Sequence, residues 1–266
     1  MRLVDSHCHL DAAEFDPDRA QVIERARAAG VDRQLVPAVT AASWPKLREV
    51  CRAAPGLHPA YGLHPTFLAE HRPEHLDDLG AWIERERPLA IGECGLDLFV
   101  EGLDPQTQAL YFDGQLRLAR DAGLPLIVHA RRAVDAVIAS IRRIGGVASG
   151  QPSRLRGVVH SFSGSQQQAR QLWDLGFLIG LGGPLTYDRA QRLHRLVAAM
   201  PLEFLLLETD APDQPDAGIR GQRNEPARLR TVLDAVARLR DEDPAHIAAT
   251  TTANAERLFA LPAFPV

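Results

Sequence analysis

Leu3-Val4-Asp5-Ser6-His7-Cys8-His9 is the stretch whose reading decides the fold. It opens as a short apolar strand. It then runs into two histidines, not into the Gly-x-Gly-x-x-Gly turn that an open doubly wound sheet places after its first strand to hold a phosphate. His7 and His9 stand at i and i+2, so on extended backbone both imidazoles point to one side and Cys8 to the other. That spacing suits two ligands on one metal ion, but a lone His-x-His carries little weight, and its company decides.

Outward from this stretch, short apolar runs alternate with longer amphipathic ones along the chain. Strands are predicted at Leu3–Asp5, Gln34–Val39, Ala60–Leu63, Leu89–Glu93, Pro125–His129, Gly157–His160, Phe177–Leu181 and Phe204–Glu208. The intervening helices are predicted at Pro17–Ala29, Trp44–Ala53, Pro73–Glu86, Pro105–Ala122, Ala133–Ile144, Gln166–Leu175, Ala190–Met200 and Glu225–Arg238, with a final helix at Pro244–Leu258. Gly30, Gly123 and Gly176 follow amphipathic stretches, where a left-handed residue ends a helix, and Pro105 and Pro226 suit a first helical turn. Gly145–Arg156, rich in Gly, Ser and Pro, reads as an exposed excursion. The expected fold is α/β, a (β/α)8 TIM barrel with an extra C-terminal helix, in a single domain over residues 1–266.

Composition agrees. The 266 residues are 45% hydrophobic and 24% charged, which excludes a disordered, collagenous or disulfide-scaffolded chain. A chain of this length buries about three quarters of its unfolded surface, so a metal here would serve function and not hold the core together. No apolar run approaches the ~18 residues of a membrane span, and Met1–Asp5 carries no hydrophobic signal region. A cytoplasmic protein without a membrane partner is the expectation. Cys8, Cys51 and Cys94 are an odd number in unrelated settings, as reduced thiols would be. With 34 acidic and 30 basic residues, net charge −4, no broad polycation is present, so any nucleic acid must be recognised locally. Lys46 is the only lysine, a bias toward arginine that reads as source composition.

The chemistry sits at the ends of the apolar runs. His7 and His9 close the first, His64 follows the third, Glu93 ends the fourth, His129 the fifth and His160 the sixth, and Asp210 lies just past the eighth. In a parallel barrel all strand C-termini converge on one face. Burying such groups unpaired costs several kcal/mol, and metal ligation removes that cost. A carboxylate can bridge two cations, so the implied set is His7, His9, Glu93 and Asp210 on one ion, with Glu93, His129 and His160 on the other. A carboxylated lysine bridge is excluded because Lys46 reads as helical. Two divalent ions lower the pKa of a shared water, Asp210 is a candidate to accept its proton, and mixed imidazole and carboxylate ligands suit Zn, Mn, Co or Ni without excluding Mg.

The blocks Val4-Asp5-Ser6-His7-Cys8-His9-Leu10-Asp11, Gly62-Leu63-His64-Pro65, Ile91-Gly92-Glu93-Cys94-Gly95-Leu96-Asp97 and Leu126-Ile127-Val128-His129-Ala130-Arg131 resemble TatD-type metal-dependent deoxyribonucleases. So do His160-Ser161-Phe162-Ser163-Gly164, Leu207-Glu208-Thr209-Asp210-Ala211-Pro212, Arg223-Asn224-Glu225-Pro226 and Thr252-Ala253-Asn254-Ala255-Glu256-Arg257-Leu258-Phe259. The resemblance runs in order from residue 3 to residue 259. It implies an amidohydrolase-like barrel of the metal-dependent hydrolase type, with two metals held by His7, His9, Glu93, His129, His160 and Asp210, acting on DNA from the 3′ end. It also implies that His64 is a pocket histidine that contacts the scissile phosphate or assists the leaving group. Leu98, where many members carry an aromatic residue, and Asp213-Gln214-Pro215-Asp216 depart from the usual pattern at the mouth.

Substrate class needs its own argument, because a fold does not fix it. Arg131, Arg132, Arg220 and Arg223 lie just beyond strand ends, where planar guanidinium groups suit phosphate oxygens; Arg131 and Arg223 are the chosen substrate contacts. Glu208, one layer below Asp210, is a candidate to orient a ligand histidine. Cys8 and Cys94 are expected to be small apolar fillers. The function expected is cleavage of a DNA strand end. A hydrolase of small esters, lactones or amides, or a barrel that binds nucleic acid or metal without turnover, would use the same residues.

Overall fold

Residues 1–146 and 153–262 are described by the computed structural model of the chain. One sheet holds eight strands in chain order: β1 (Leu3–Asp5), β2 (Val31–Pro37), β3 (Leu57–Tyr61), β4 (Ala90–Asp97), β5 (Leu126–Arg131), β6 (Gly157–Val159), β7 (Phe177–Leu181) and β8 (Leu205–Leu207). The pairs β1–β2, β3–β4, β4–β5, β5–β6 and β7–β8 run parallel. The helices are α1 (Arg19–Ala28), α2 (Trp44–Ala53), α3 (His75–Glu86), α4 (Pro105–Ala122), α5 (Val134–Gly145), α6 (Gln166–Asp174), α7 (Gln191–Ala199), α8 (Leu229–Arg240) and the extra C-terminal α9 (Pro244–Phe259). A parallel sheet in sequential order with a helix after each strand is the (β/α)8 class that the alternation predicted. Residues 147–152 of the expected Gly145–Arg156 excursion lie outside the described residues.

Two compact units interleave along the chain, Met1–Val36 with Glu49–His58 and Ile179–Val266, and Pro37–Arg48 with Pro59–Leu178. In the first, α8 buries Leu229, Val232, Leu233 and Val236, one stripe at i, i+3, i+4 and i+7. α9 is fastened by a polar group: buried Asn254 donates from Nδ2 to the carbonyls of Leu202 and Leu205 at 2.9 and 3.0 Å, gripping the chain where it enters β8.

In the second unit, α4 begins at the Asp104 cap, whose carboxylate accepts the Thr107 N–H at 2.7 Å, and ends at left-handed Gly123. Its buried face contains two glutamines beside Tyr111, Phe112 and Leu116. Gln115 takes the Leu63 N–H at 2.8 Å and returns a bond to the Leu63 carbonyl at 3.1 Å. Gln108 does the same for Asp97, at 2.7 and 2.8 Å. The helix thus holds two points of backbone directly beside the chemistry, His64 and the end of β4.

β4 corrects the sequence reading. Expected to end at Glu93, it continues to Asp97, pairing Gly95 with His129 and Asp97 with Arg131 on β5. Gly95 is what permits the close approach: its φ is +143°, and a Cβ there would lie 2.0 Å from the His129 carbonyl oxygen. Glu93 therefore projects from inside a strand. β1 ends at Asp5, so His7 and His9 lie beyond it.

Candidate metal centre

Glu93 is 2% exposed, and one of its oxygens, Oε1, meets three imidazoles: His64 Nε2 at 3.0 Å, His129 Nδ1 at 3.1 Å and His160 Nε2 at 2.7 Å. A buried anion ringed by nitrogen bases requires cations among them, either protons or a metal. His129 donates from both ring nitrogens, to Glu93 and, from Nε2, to Asp97 Oδ2 at 2.9 Å. Burial opposes its charge, but Asp97 and Glu93 outweigh it and raise the imidazole to about 9. Burial likewise opposes the Asp97 anion, but the hydrogen bond from His129 and those from the Val100 and Phe99 amides, at 2.9 and 2.8 Å, hold the carboxyl at about 2. The donor atoms of His64, Glu93 and His129 all lie within 4.8 Å of one another. A buried set of imidazole nitrogens and carboxylate oxygen at that spacing fits a divalent cation of mixed nitrogen and oxygen preference, which would replace the proton between His129 and Glu93.

His64 differs from the other two rings. Its Nδ1 accepts the Thr66 N–H at 3.2 Å, capping the 3-10 turn Pro65–Glu70, so Nε2 carries the hydrogen toward Glu93. It is a donor in the pocket and a turn residue together. His71 fixes it from behind, with Nε2 on the His64 carbonyl at 2.8 Å.

The second cluster is built on the segments that follow β1 and β8. Their backbones are zipped: Ser6 donates to Leu207, Asp210 to His7 and His9 to Ala211, at 3.0, 2.8 and 2.7 Å. His7 is fully buried, its Nε2 lies 3.2 Å from His9 Nε2 and 3.3 Å from Asp210 Oδ1, and His9 Nε2 is 3.7 Å from the same oxygen. Asp210 has φ +58°, an uncommon left-handed conformation for aspartate. Gln214 donates to its Oδ2, and Asn224 Nδ2 spans the carbonyls of Thr209 and Asp213, both at 2.9 Å, closing the loop. Beneath, Asp5 accepts the His7 N–H at 3.2 Å and the Thr209 N–H and hydroxyl at 3.0 and 2.6 Å, yet burial pushes its carboxyl up to about 7.

Among the other predicted residues, Glu208 is fully buried just past β8, with its N–H on the Leu181 carbonyl. Arg131 is exposed, with its guanidinium 3.8 Å from the Phe99 ring centroid. Arg223, expected as a substrate contact, has carboxylate and carbonyl partners of its own. It closes a bidentate pair with Asp18 at 2.7 and 2.8 Å and donates to the Glu14 carbonyl, because the Asp18 carboxylate at the start of α1 makes no cap bond and is left to the guanidinium. The three thiols are buried, and burial pushes those of Cys51 and Cys94 upward, as for inert fillers. Sequence reasoning missed Asp5, Asp97, Gln108, Gln115 and Gln214. Asp5 and Asp97 stand inside the stretches that carry the family resemblance, and Gln214 inside the one that departs from it.

A family model described as TatD related DNase matches residues 4–260. The chain belongs to the TatD-related DNase family. This TatD-family chain is 39% identical over 265 residues to the uncharacterized metal-dependent hydrolase YjjV of Escherichia coli K12, covering 98% of this chain and 99% of that one. The crystal structure of YjjV superposes with a TM-score of 0.91 over the same shares, at 38% identity. A relative from Erwinia tasmaniensis named 3′-5′ ssDNA/RNA exonuclease TatD is 34% identical, covering 97% of this chain and 100% of its own. Among the described residues, no helix is long and apolar enough to cross a membrane.

Proposed function

We propose that this TatD-family protein is a metal-dependent phosphodiesterase that removes nucleotides from the 3′ end of a DNA strand, working as one hydrolase domain. The observation that carries the reading is Glu93 Oε1 facing three imidazole nitrogens in a buried setting, a donor set that suits cations. Relatives named as metal-dependent hydrolases support reading both clusters as metal-holding. His7, His9, Glu93 and Asp210 would hold one divalent ion, and Glu93, His129 and His160 a second, with Zn, Mn, Mg, Co and Ni all compatible. When bound, such ions supply a Lewis acid for a phosphoryl oxygen and an acidified water.

The chain's own groups do the rest. Asp210 accepts the proton of the attacking water, its carboxylate steadied by Gln214. His64 directs its Nε2–H at the phosphate or the departing oxygen. Asp97 holds His129 in one orientation, and Arg131 meets a phosphate oxygen at the rim. The substrate assignment is further supported by the relative named as a 3′-5′ exonuclease.

The test is to incubate metal-free and metal-reconstituted protein with 3′-end-labelled single-stranded DNA and, in parallel, with a panel of ester, lactone and amide substrates. Metal-dependent release of labelled mononucleotide is the expected result. Turnover confined to the small substrates, or DNA binding without product under Mg, Mn, Co and Zn, would overturn it.

A further inference from the structure

β4 is followed by three exposed apolar residues, Leu98, Phe99 and Val100, 47%, 42% and 39% exposed. Their exposure is imposed by the backbone. Asp97 Oδ1 takes the amides of Phe99 and Val100 at 2.8 and 2.9 Å while its Oδ2 takes His129, and the Leu98 amide is held by the Arg131 carbonyl at 2.9 Å. One carboxylate therefore ties the segment carrying Phe99 to the His129 ring.

On the Phe99 ring lie two guanidinium groups, those of Arg131 and Arg132, 3.8 and 4.6 Å from its centroid. Successive residues of a strand point to opposite sides. Both reach the ring because Arg132 turns left-handed, with φ +53°. Arg131 follows His129 by two residues on β5, and so continues the column of side chains on that face. Among the described residues neither guanidinium is in an ion pair or a side-chain hydrogen bond. Two like charges gathered on one exposed ring repel, and cation–π attraction at an exposed site offsets this weakly. An anion between their edges removes the repulsion, and each planar fork keeps its N–H donors for phosphate oxygens.

We infer that Phe99, Arg131 and Arg132 form a clamp for a second backbone phosphate, one beside the phosphate under attack. The inference rests on the phosphodiesterase reading and narrows it: the substrate carries at least two linked phosphates, an oligonucleotide and not an isolated phosphodiester. Arg131 and Arg132 bind, and Phe99 is a positioning residue that aligns them.

The test compares wild type with Arg132→Gln, Phe99→Ala and Phe99→Tyr, as metal-replete full chains. The substrates are a short single-stranded oligodeoxynucleotide and bis(p-nitrophenyl) phosphate, which has one phosphate. R132Q and F99A should raise KM for the oligonucleotide about tenfold with kcat little changed, and the loss on the small diester should be at least fivefold less. F99Y should restore KM. Anisotropy of a labelled oligonucleotide in EDTA, where nothing turns over, should show R132Q lowering the slope of log Kd against log salt by about 0.7. Equal losses on both substrates, or an unchanged KM and salt slope in an enzyme that degrades the oligonucleotide, would overturn the clamp alone. Wild type that neither binds nor degrades the oligonucleotide would overturn the phosphodiesterase reading and the clamp with it.

Discussion

Glu93 lies inside a strand and Asp210 in a loop, yet each carboxylate faces histidine nitrogens. Glu93 is fixed from both sides. β4 runs on four residues beyond it, three imidazoles crowd one oxygen, and Asp97 secures the His129 ring from the far side. Asp210 has a left-handed backbone, and a loop closed by Asn224 and Gln214 holds it in place. The difference teaches a division of labour. A rigid strand acid suits a lasting bridge between cations, whereas a loop acid with one oxygen on a neutral amide suits moving a proton.

The comparison breaks most sharply on the two acids themselves. Glu93→Gln should cost several kcal/mol of transition-state stabilisation, about a thousandfold or more in kcat, and should also lose bound metal by elemental analysis. Asp210→Asn should lose on the order of 10²–10⁴ in kcat while retaining more metal than Glu93→Gln, since Asp210 would touch one ion and Glu93 both. Equal metal retention in both variants would erase the distinction.

Asp97→Asn sharpens it further, with an expected loss of about 10–100-fold in metal affinity by titration. In metal-free protein the same variant reports on pH. His129 is raised from its ordinary 6.5 to about 9, so its stabilising contribution is complete below 6.5 and is lost as pH rises through about 9. The melting-temperature gap between wild type and D97N should therefore be widest near pH 6 and shrink above pH 9. Metal competes with that proton, so wild-type affinity should rise with pH over the same window.

Gln214→Ala removes one hydrogen bond from the loop acid and should lower kcat by roughly fivefold, about 1 kcal/mol, with KM unchanged. The smallest effect is expected at Arg223→Gln. Arg223 and Arg25 lower the exposed Asp18 carboxyl to about 2, so their stabilising contribution holds above 3.8 and is lost as pH falls toward 2. At neutral pH the variant should shift Tm by about 2 °C or less. A large loss of DNA cleavage there would return Arg223 to the substrate.

Periodicity and helix punctuation made most of the barrel legible, with β1, β7, α2 and α4 bounded as predicted. β4 runs on past its expected end because the close passage of His129 that demands Gly95 has no local signature in the sequence. The proposed ligand residues stood out because charge at the end of an apolar run is anomalous. Gln108 and Gln115 could not, since a glutamine on a helix looks solvated until the helix is seen to bury it against backbone. The Arg223 ion pair was hidden for the reverse reason, as its partner Asp18 is 205 residues away in sequence.

The central claim is that six side chains grip a pair of cations. Crystals grown with excess Mn or Zn and measured across the metal's absorption edge test it directly. The account predicts two anomalous peaks, with Glu93 touching both, His7, His9 and Asp210 on one, and His129 and His160 on the other. No peak, or peaks away from these groups, would contradict it.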